Sequence, residues 1–317
     1  MQHAEAASRL RDVLDEVSGA VVTREEFLEL VVTSLVADGH VLLEDVPGTG
    51  KTLTARSFAT ALGLDFSRVQ FTPDLLPADI TGSNIYNEST GEFSFNPGPL
   101  FANVVLADEI NRAPPKTQAA LLEAMGEGQV SVDGTTHQLP EPFFVIATQN
   151  PVEQEGTFGL PEAQRDRFMV KTDMGYPDFA GERELIDRRA ERDTQIPTVG
   201  RVLDPETVRE IQSTVETVDV EERLRDYVVE LGRRTREDER VDVGVSPRGI
   251  QKLFEAARGA AVVQGRDYVV PDDVKRVAGP ALQHRLVLTA EANVRGVDRE
   301  DVVSDVLDSL DVPAVAD

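Results

Sequence analysis

Four short apolar runs do most to restrict how this chain can fold: "HVLLE" (40–44), "RVQFT" (68–72), "NVVLAD" (103–108) and "FFVIATQ" (143–149). Helical patterns or loops separate them. Leu10, Val13, Leu14 and Val17 recur at helical spacing, as do Phe27, Leu30, Val31 and Leu35. "KTLTARSFATALG" reads as a helix after the first run, and "TQAALLEAM" (117–125) as a helix that stops at Gly126. Strands that are apolar throughout and alternate with helices predict a parallel sheet covered on both faces. The expected fold class is α/β, an αβα parallel-sheet domain.

Two segments interrupt the alternation, at about residues 84–98 ("NIYNESTGEFSFNPG") and 129–140 ("QVSVDGTTHQLP"). Both predict hairpins; the second has alternating Val130 and Val132 before an Asp133–Gly134 turn. Beyond about residue 200 the character changes. "DPETVREIQSTV", "VEERLRDYVVELGRRT", "SPRGIQKLFEAARGAAVVQG" and "PDDVKRVAGPALQHRLVL" all read as helices. Asp204 and Ser246 stand as N-caps before prolines at the first helical position. The 317 residues therefore divide into an αβα domain over 1–196 and an all-helical domain over 197–317, each large enough for its own core.

The first apolar run leads into "LLEDVPGTGKT" (42–52). A glycine-rich turn between strand and helix points backbone N–H groups at an anion, and the helix dipole adds to the attraction. Lys51 would reach the outer phosphates and Thr52 would offer its hydroxyl to Mg²⁺. The binding candidates are Pro47, Gly48, Thr49, Gly50, Lys51, Thr52 and Leu53. Against this reading, the strict pattern wants a glycine six places before Lys51, and that place is Asp45. A carboxylate facing phosphates would cost several kcal/mol unless paired. The expectation is that Asp45 turns away, satisfied by solvent or a backbone N–H, while Gly48 and Gly50 carry the turn.

"VVLADEINR" ends an apolar strand in Asp108 and Glu109, at the carboxyl end where open α/β sheets bind ligands. The pair suits a division of labour, with Asp108 holding Mg²⁺ and Glu109 activating water for attack on a γ-phosphate. Asn150 in "VIATQNP" either holds that water or simply forms a turn before Pro151. "LPEAQRDRF" offers Arg165 and Arg167, which either stabilise a transferring phosphoryl group or pair with Glu162 and Asp166. Arg248 falls in the first turn of its helix, where a cation opposes the dipole by about 0.3–1 kcal/mol. It either meets a nucleotide phosphate or lies in solvent.

Composition narrows the remaining classes. With no cysteine, disulfides and thiolate chemistry are excluded, and His3, His40, His137 and His284 are too scattered for a zinc motif. The net charge is −25, and only five of the 32 basic residues are lysines. Such a surface repels DNA and acidic membranes. It resembles proteins of salt-rich cytoplasms, where screening makes dense like charge tolerable. No stretch approaches the roughly 20 apolar residues of a membrane helix, so a cytoplasmic location without membrane insertion is expected.

Taken together, "VLLEDVPGTGKT", "LADEINRAPPKTQAALLEAMGEGQVSVDG", "FFVIATQNPVEQEGTFGLPEAQRDRF" and "SPRGIQKLFEAARGAA" resemble the MoxR family of AAA+ ATPases over most of the chain. The resemblance implies an ATPase domain with a helical lid, working as a ring, usually a hexamer, with ATP and Mg²⁺ between subunits. It makes Lys51 and Thr52 the Walker A residues and Asp108 and Glu109 the Walker B pair. Asn150 matches sensor 1, Arg167 the arginine finger and Arg248 sensor 2. The two hairpins match inserts of the branch that includes magnesium chelatases and MCM helicases. A partner bearing a von Willebrand factor A domain is implied, remodelled or activated by a chaperone-like ATPase. Arg165 departs from the family pattern, which more often has an apolar residue there, so the finger could be either arginine. The competing readings are a magnesium-chelatase-type motor subunit and a nucleotide-gated binding module without turnover. A nucleic-acid motor is disfavoured, because neither hairpin contains Lys or Arg to track phosphates.

Overall fold

The computed structural model describes residues 1–89, 91–151 and 158–313. Thr90, the stretch 152–157 inside the family-like segment, and the last four residues lie outside the described residues. The chain begins with helices α1 (His3–Ala20) and α2 (Glu25–Val36), then β1 (Val41–Glu44), α3 (Lys51–Ala61), β2 (Phe66–Gln70) and the short α4 (Pro77–Thr81). A hairpin of β3 (Gly82–Asn87) and β4 (Glu92–Pro97) precedes β5 (Val104–Asp108) and α5 (Pro115–Glu127). A second hairpin, β6 (Gln129–Val132) and β7 (Thr135–Gln138), leads to β8 (Phe144–Gln149), α6 (Glu162–Arg165) and β9 (Val170–Thr172). After it come α7 (Phe179–Glu191), α8 (Pro205–Val215), α9 (Glu222–Arg234), β10 (Val241–Val243), α10 (Pro247–Val263) and α11 (Pro271–Leu282). The chain closes with β11 (Val287–Leu288), α12 (Ala290–Val294) and α13 (Arg299–Ser309).

Five strands form one sheet in the order β2-β5-β8-β1-β9, and every pairing in it is parallel. The continuous apolar runs follow from burial on both faces. Val41 and Leu43, Val104 and Leu106, and Phe144 and Ile146 enter one core with α1, α2, α3 and the C-terminal helices. The intervening Leu42, Val105, Ala107, Val145 and Ala147 enter the other, against α5 and Phe168. Successive side chains of a strand point to opposite faces, so a strand buried on both has no polar alternation to show.

Three findings refine the sequence reading. The helix of "TQAALLEAM" runs through Gly126 and stops at Gly128, whose φ of 62° is the left-handed conformation glycine tolerates. Gly126 is instead a contact: a Cβ there would lie 2.2 Å from the Arg167 guanidinium. The C-terminal part is helical apart from the antiparallel β10–β11 pair, and it shares its core with α1 and α2. Gly259 of α10 lies so close to α2 that a Cβ would sit 2.8 Å from the Thr33 carbonyl. Strand β9 and helix α7 carried no periodic signal; α7 buries none of its side chains.

His40 anchors the start of β1. Its Nδ1 accepts from Val145 N–H at 3.2 Å, so Nε2 carries the proton donated to the Met125 carbonyl at 3.0 Å. Burial pushes this imidazole down to about 4, with the Met125 bond opposing and Lys252 acting in the same direction. Among the described residues no helix is long and apolar enough to cross a membrane.

Candidate functional site

The loop after β1 and the ends of β2, β5 and β8 enclose a cavity of about 400 Å³ at the carboxyl edge of the sheet. Gly48 and Gly50 have φ of 90° and 99°, which turns the loop into α3 with Lys51 as its first residue. Pro47, Gly48, Gly50, Lys51, Thr52 and Leu53 line the cavity; Thr49 is not among them, and its hydroxyl is 3.5 Å from the Val46 carbonyl. Lys51 Nζ donates to the carbonyls of Val46 at 2.6 Å and Asp45 at 3.3 Å.

The Asp45 carboxylate is satisfied by backbone N–H donors, as expected, although the residue is still among those lining the cavity. It is buried, with Oδ1 accepting from Val46 N–H at 2.8 Å and Oδ2 from Met174 N–H at 3.0 Å. The carboxylate thus ties the loop to the segment following β9. Two backbone N–H groups satisfy it, and a buried carboxylate needs such partners.

Opposite the loop, Asp108 ends β5 and Glu109 follows in the left-handed conformation, φ 56° and ψ 51°. A non-glycine residue in that region is strained by order 1 kcal/mol, a cost that clusters at functional sites. Thr148 of β8 holds both acids in place. Its hydroxyl donates to Asp108 Oδ1 at 2.7 Å and accepts from Glu109 N–H at 2.8 Å. Asp108 Oδ2 receives Arg68 Nη2 at 2.7 Å, and Glu109 Oε2 receives Gln70 Nε2 at 2.8 Å and Arg112 at 3.3 Å. Asn150 is buried at the end of β8 and lines the same cavity.

The candidate arginines lie elsewhere in the chain. Arg167 donates to the Leu122 carbonyl of α5 at 2.5 Å, in the space left by Gly126. Arg165 is half-buried, its Nε without a partner among the described residues. Burial pushes its guanidinium below the ordinary value; Arg299 adds to this, while Glu162 and Glu44 oppose it. Arg248 is exposed in the first turn of α10, whose cap is Ser246 with its hydroxyl accepting from Gly249 N–H at 3.0 Å. None of the three lines the cavity.

Arg68, Gln70 and Thr148 were missed in the sequence reading. Within the run "RVQFT", Arg68 and Gln70 alternate with buried Val69, the signature of one face reaching a polar site. Their meeting with the acids depends on β2 pairing with β5 in the register Gln70–Asp108.

The donor set fits a magnesium nucleotide. A hard cation takes oxygen ligands and keeps several waters and phosphate oxygens, so one carboxylate and one hydroxyl suffice. Asp108 and Thr52, both lining the cavity, would supply these. At Gly48 a Cβ would meet no heavy atom within 4 Å, leaving the loop open to an approaching phosphate.

Comparison with known proteins places these features in context. The profile described as "ATPase family associated with various cellular activities (AAA)" matches residues 40–170, and that of the AAA lid domain matches 233–306. The YeaC protein of Bacillus subtilis is 47% identical over 304 residues, covering 96% of this chain and 95% of its own. Chaperone MoxR1 of Mycobacterium tuberculosis is 44% identical over 315 residues, covering 96% and 83%. A crystal structure of a protein from Cytophaga hutchinsonii superimposes with a TM-score of 0.91 at 39% identity, covering 98% of this chain and 97% of that one.

Proposed function

The chain belongs to the MoxR family of AAA+ ATPases, and from that premise we propose that it binds and hydrolyses Mg-ATP to remodel, assemble or activate a protein partner. The observation that carries this reading is the convergence of Lys51, Thr52, Asp108, Glu109 and Asn150 on one cavity from three separate strand ends. A site built only to bind nucleotide needs neither a glutamate beside the metal-ligating aspartate nor an amide next to it.

The roles follow from position. Backbone N–H groups of the Gly48–Gly50 turn and the Lys51 ammonium hold the phosphates. Thr52 and Asp108 would hold Mg²⁺, which supplies neutralisation of charge on the β- and γ-oxygens. Glu109 accepts the proton of the attacking water, and Asn150 orients that water toward the γ-phosphorus. The new P–O bond forms as the bond to the β–γ bridging oxygen breaks, releasing ADP and phosphate. Thr148 keeps both acids aligned, and Gln70 and Arg112 hold the Glu109 carboxylate.

An arginine from a neighbouring copy completes the site in this reading, because Arg165 and Arg167 lie away from their own subunit's cavity. A ring, hexameric as in the resemblance, supplies such a neighbour. The family likeness supports a partner with a von Willebrand factor A domain. The surface disfavours nucleic acid, since the hairpins carry no basic residue and the net charge is −25.

The test compares Lys51→Ala with Glu109→Gln. Lys51→Ala should abolish nucleotide binding, whereas Glu109→Gln should bind ATP and lose about 10²–10⁴-fold in hydrolysis, the range for a positioned general base. Hydrolysis by Glu109→Gln at the parent rate would remove Glu109 from its role.

A further inference from the structure

Asp166 stands in sequence between the two arginines, and its carboxylate reaches the C-terminal helices by both oxygens. Oδ1 accepts from Arg285 Nε at 2.7 Å, and Oδ2 accepts from the Ser246 hydroxyl at 3.2 Å. Arg285 is almost wholly buried, and it grips the whole segment entering β9. It donates to the carbonyls of Asp166 at 3.1 Å, Phe168 at 2.6 Å and Met169 at 3.3 Å. Ser246 is the cap of the helix whose first turn carries Arg248. Gly249 of that turn packs directly on Arg285; a Cβ there would lie 2.7 Å from Arg285 Cδ. The cap of α10, Arg285 and Asp166 therefore form one packed polar unit. Arg165 and Arg167 flank Asp166 in sequence, and Arg248 lies in the helical turn that Ser246 caps.

We propose that Asp166 is a positioning residue that couples the lid of a subunit, through Ser246 and Arg285, to the arginine segment which that subunit presents to its neighbour. This rests on the reading of the chain as a ring ATPase. Arg248 is exposed and outside the cavity lining, so a phosphate that recruits it would have to displace the N-terminus of α10. Because Ser246 and Arg285 both hold Asp166, the displacement carries residues 165–167 with it. Nucleotide bound in one site thus sets the alignment of the arginine acting in the next. A partly buried carboxylate, doubly engaged and held by the buried Arg285, transmits such a shift, where an exposed ion pair would absorb it in side-chain freedom. The coupling acts on the neighbour's chemistry and leaves the subunit's own phosphate contacts intact, which separates it from a role in folding.

The experiment measures, on the full-length chain, binding of a fluorescent ATP analogue, thermal unfolding and steady-state hydrolysis for Asp166→Asn, Asp166→Glu and Ser246→Gly. Ser246→Gly removes the hydroxyl link while keeping a residue acceptable at an N-cap. The expected result for Asp166→Asn is nucleotide affinity within twofold of the parent, kcat lowered tenfold or more, and loss of cooperativity in ATP. Ser246→Gly should lower kcat in the same direction by a smaller factor, and Asp166→Glu should restore part of the loss. Unchanged kcat and cooperativity in Asp166→Asn would overturn the proposal. So would a parallel fall of binding, melting temperature and kcat in both Asp166→Asn and Ser246→Gly, which marks a purely structural contact. A parent chain that neither binds nor hydrolyses ATP would instead sink the nucleotide reading itself.

Discussion

Restoring the strict loop glycine by Asp45→Gly should damage this protein. The substitution keeps the backbone bonds, Asp45 N–H to the Gln149 carbonyl at 3.1 Å and the Asp45 carbonyl to Lys51 Nζ at 3.3 Å. It removes both carboxylate bonds, and the two N–H groups differ in what happens next. Met174 is buried, so its N–H loses a charged partner with no water to replace it, a loss of about 2 kcal/mol. Val46 is half-buried and its N–H gains some solvent, a loss of about 1 kcal/mol. Glycine adds unfolded-state freedom worth about 0.5–1 kcal/mol. Relief of carboxylate desolvation offsets part of the total, leaving a net destabilisation of about 3 kcal/mol. Urea unfolding reads this directly as a shift of midpoint at constant slope. The loop also loses its tether to the segment after β9, so nucleotide binding must order it again. A cost of about 1.4 kcal/mol there weakens Kd tenfold. If Asp45→Gly unfolded within about 0.5 kcal/mol of the parent and bound ATP more tightly, the carboxylate would not be the clamp described above.

Two further outcomes follow from the geometry. His40 is held neutral with its pKa at about 4 against 6.5 unfolded, so the unfolded chain takes up more protons between these values. Its stabilisation is complete above pH 6.5 and lost as pH falls toward 4, about 2 kcal/mol between pH 7 and pH 5. His284, pushed down by burial and then by Arg285, acts in the same direction. Unfolding free energies at the two pH values should show this slope in the parent and a shallower one in His40→Gln; equal slopes would refute the assignment. Arg68→Met should change stability little, because the Arg68 side chain is 46% exposed and such pairs contribute about 0–1 kcal/mol. It frees Asp108 Oδ2, so half-saturation by Mg²⁺ in the presence of ATP should fall severalfold, read by titration of nucleotide binding. An unchanged Mg²⁺ requirement would show that Arg68 does not compete for that oxygen.

Several elements could be read directly from residue order. The runs 103–108 and 143–149 became β5 and β8 within one residue at each end, because full burial leaves a composition that turns and exposed strands do not share. Asp204 and Ser246 were legible as caps for a local reason: a short polar side chain reaches a backbone N–H three residues on, here those of Thr207 and Gly249. The reading failed where the cause was not local. Gly126 looked like a helix stop, but its lack of a side chain serves Arg167, far along the sequence. Strand β9, three residues long, has too few positions to show a period, and α7 has no buried stripe to show one.

The candidate site divides in the same way. Lys51, Thr52, Asp108, Glu109 and Asn150 were legible because each follows an apolar strand, and strand ends on a parallel sheet must open on the same edge. What surrounds them was not. Arg68 and Gln70 meet the acids because β2 lies beside β5, Asp45 finds Met174 because β9 lies beside β1, and Asp166 finds Arg285 across 119 residues. By itself, the sequence determined the strands, the loop and the chemical groups at their ends, since period and composition are properties of neighbouring residues. The tertiary structure alone decided which side chains stand opposite those groups. Strand order, register and the docking of distant helices are set by the packing of the whole chain, and no local pattern encodes them.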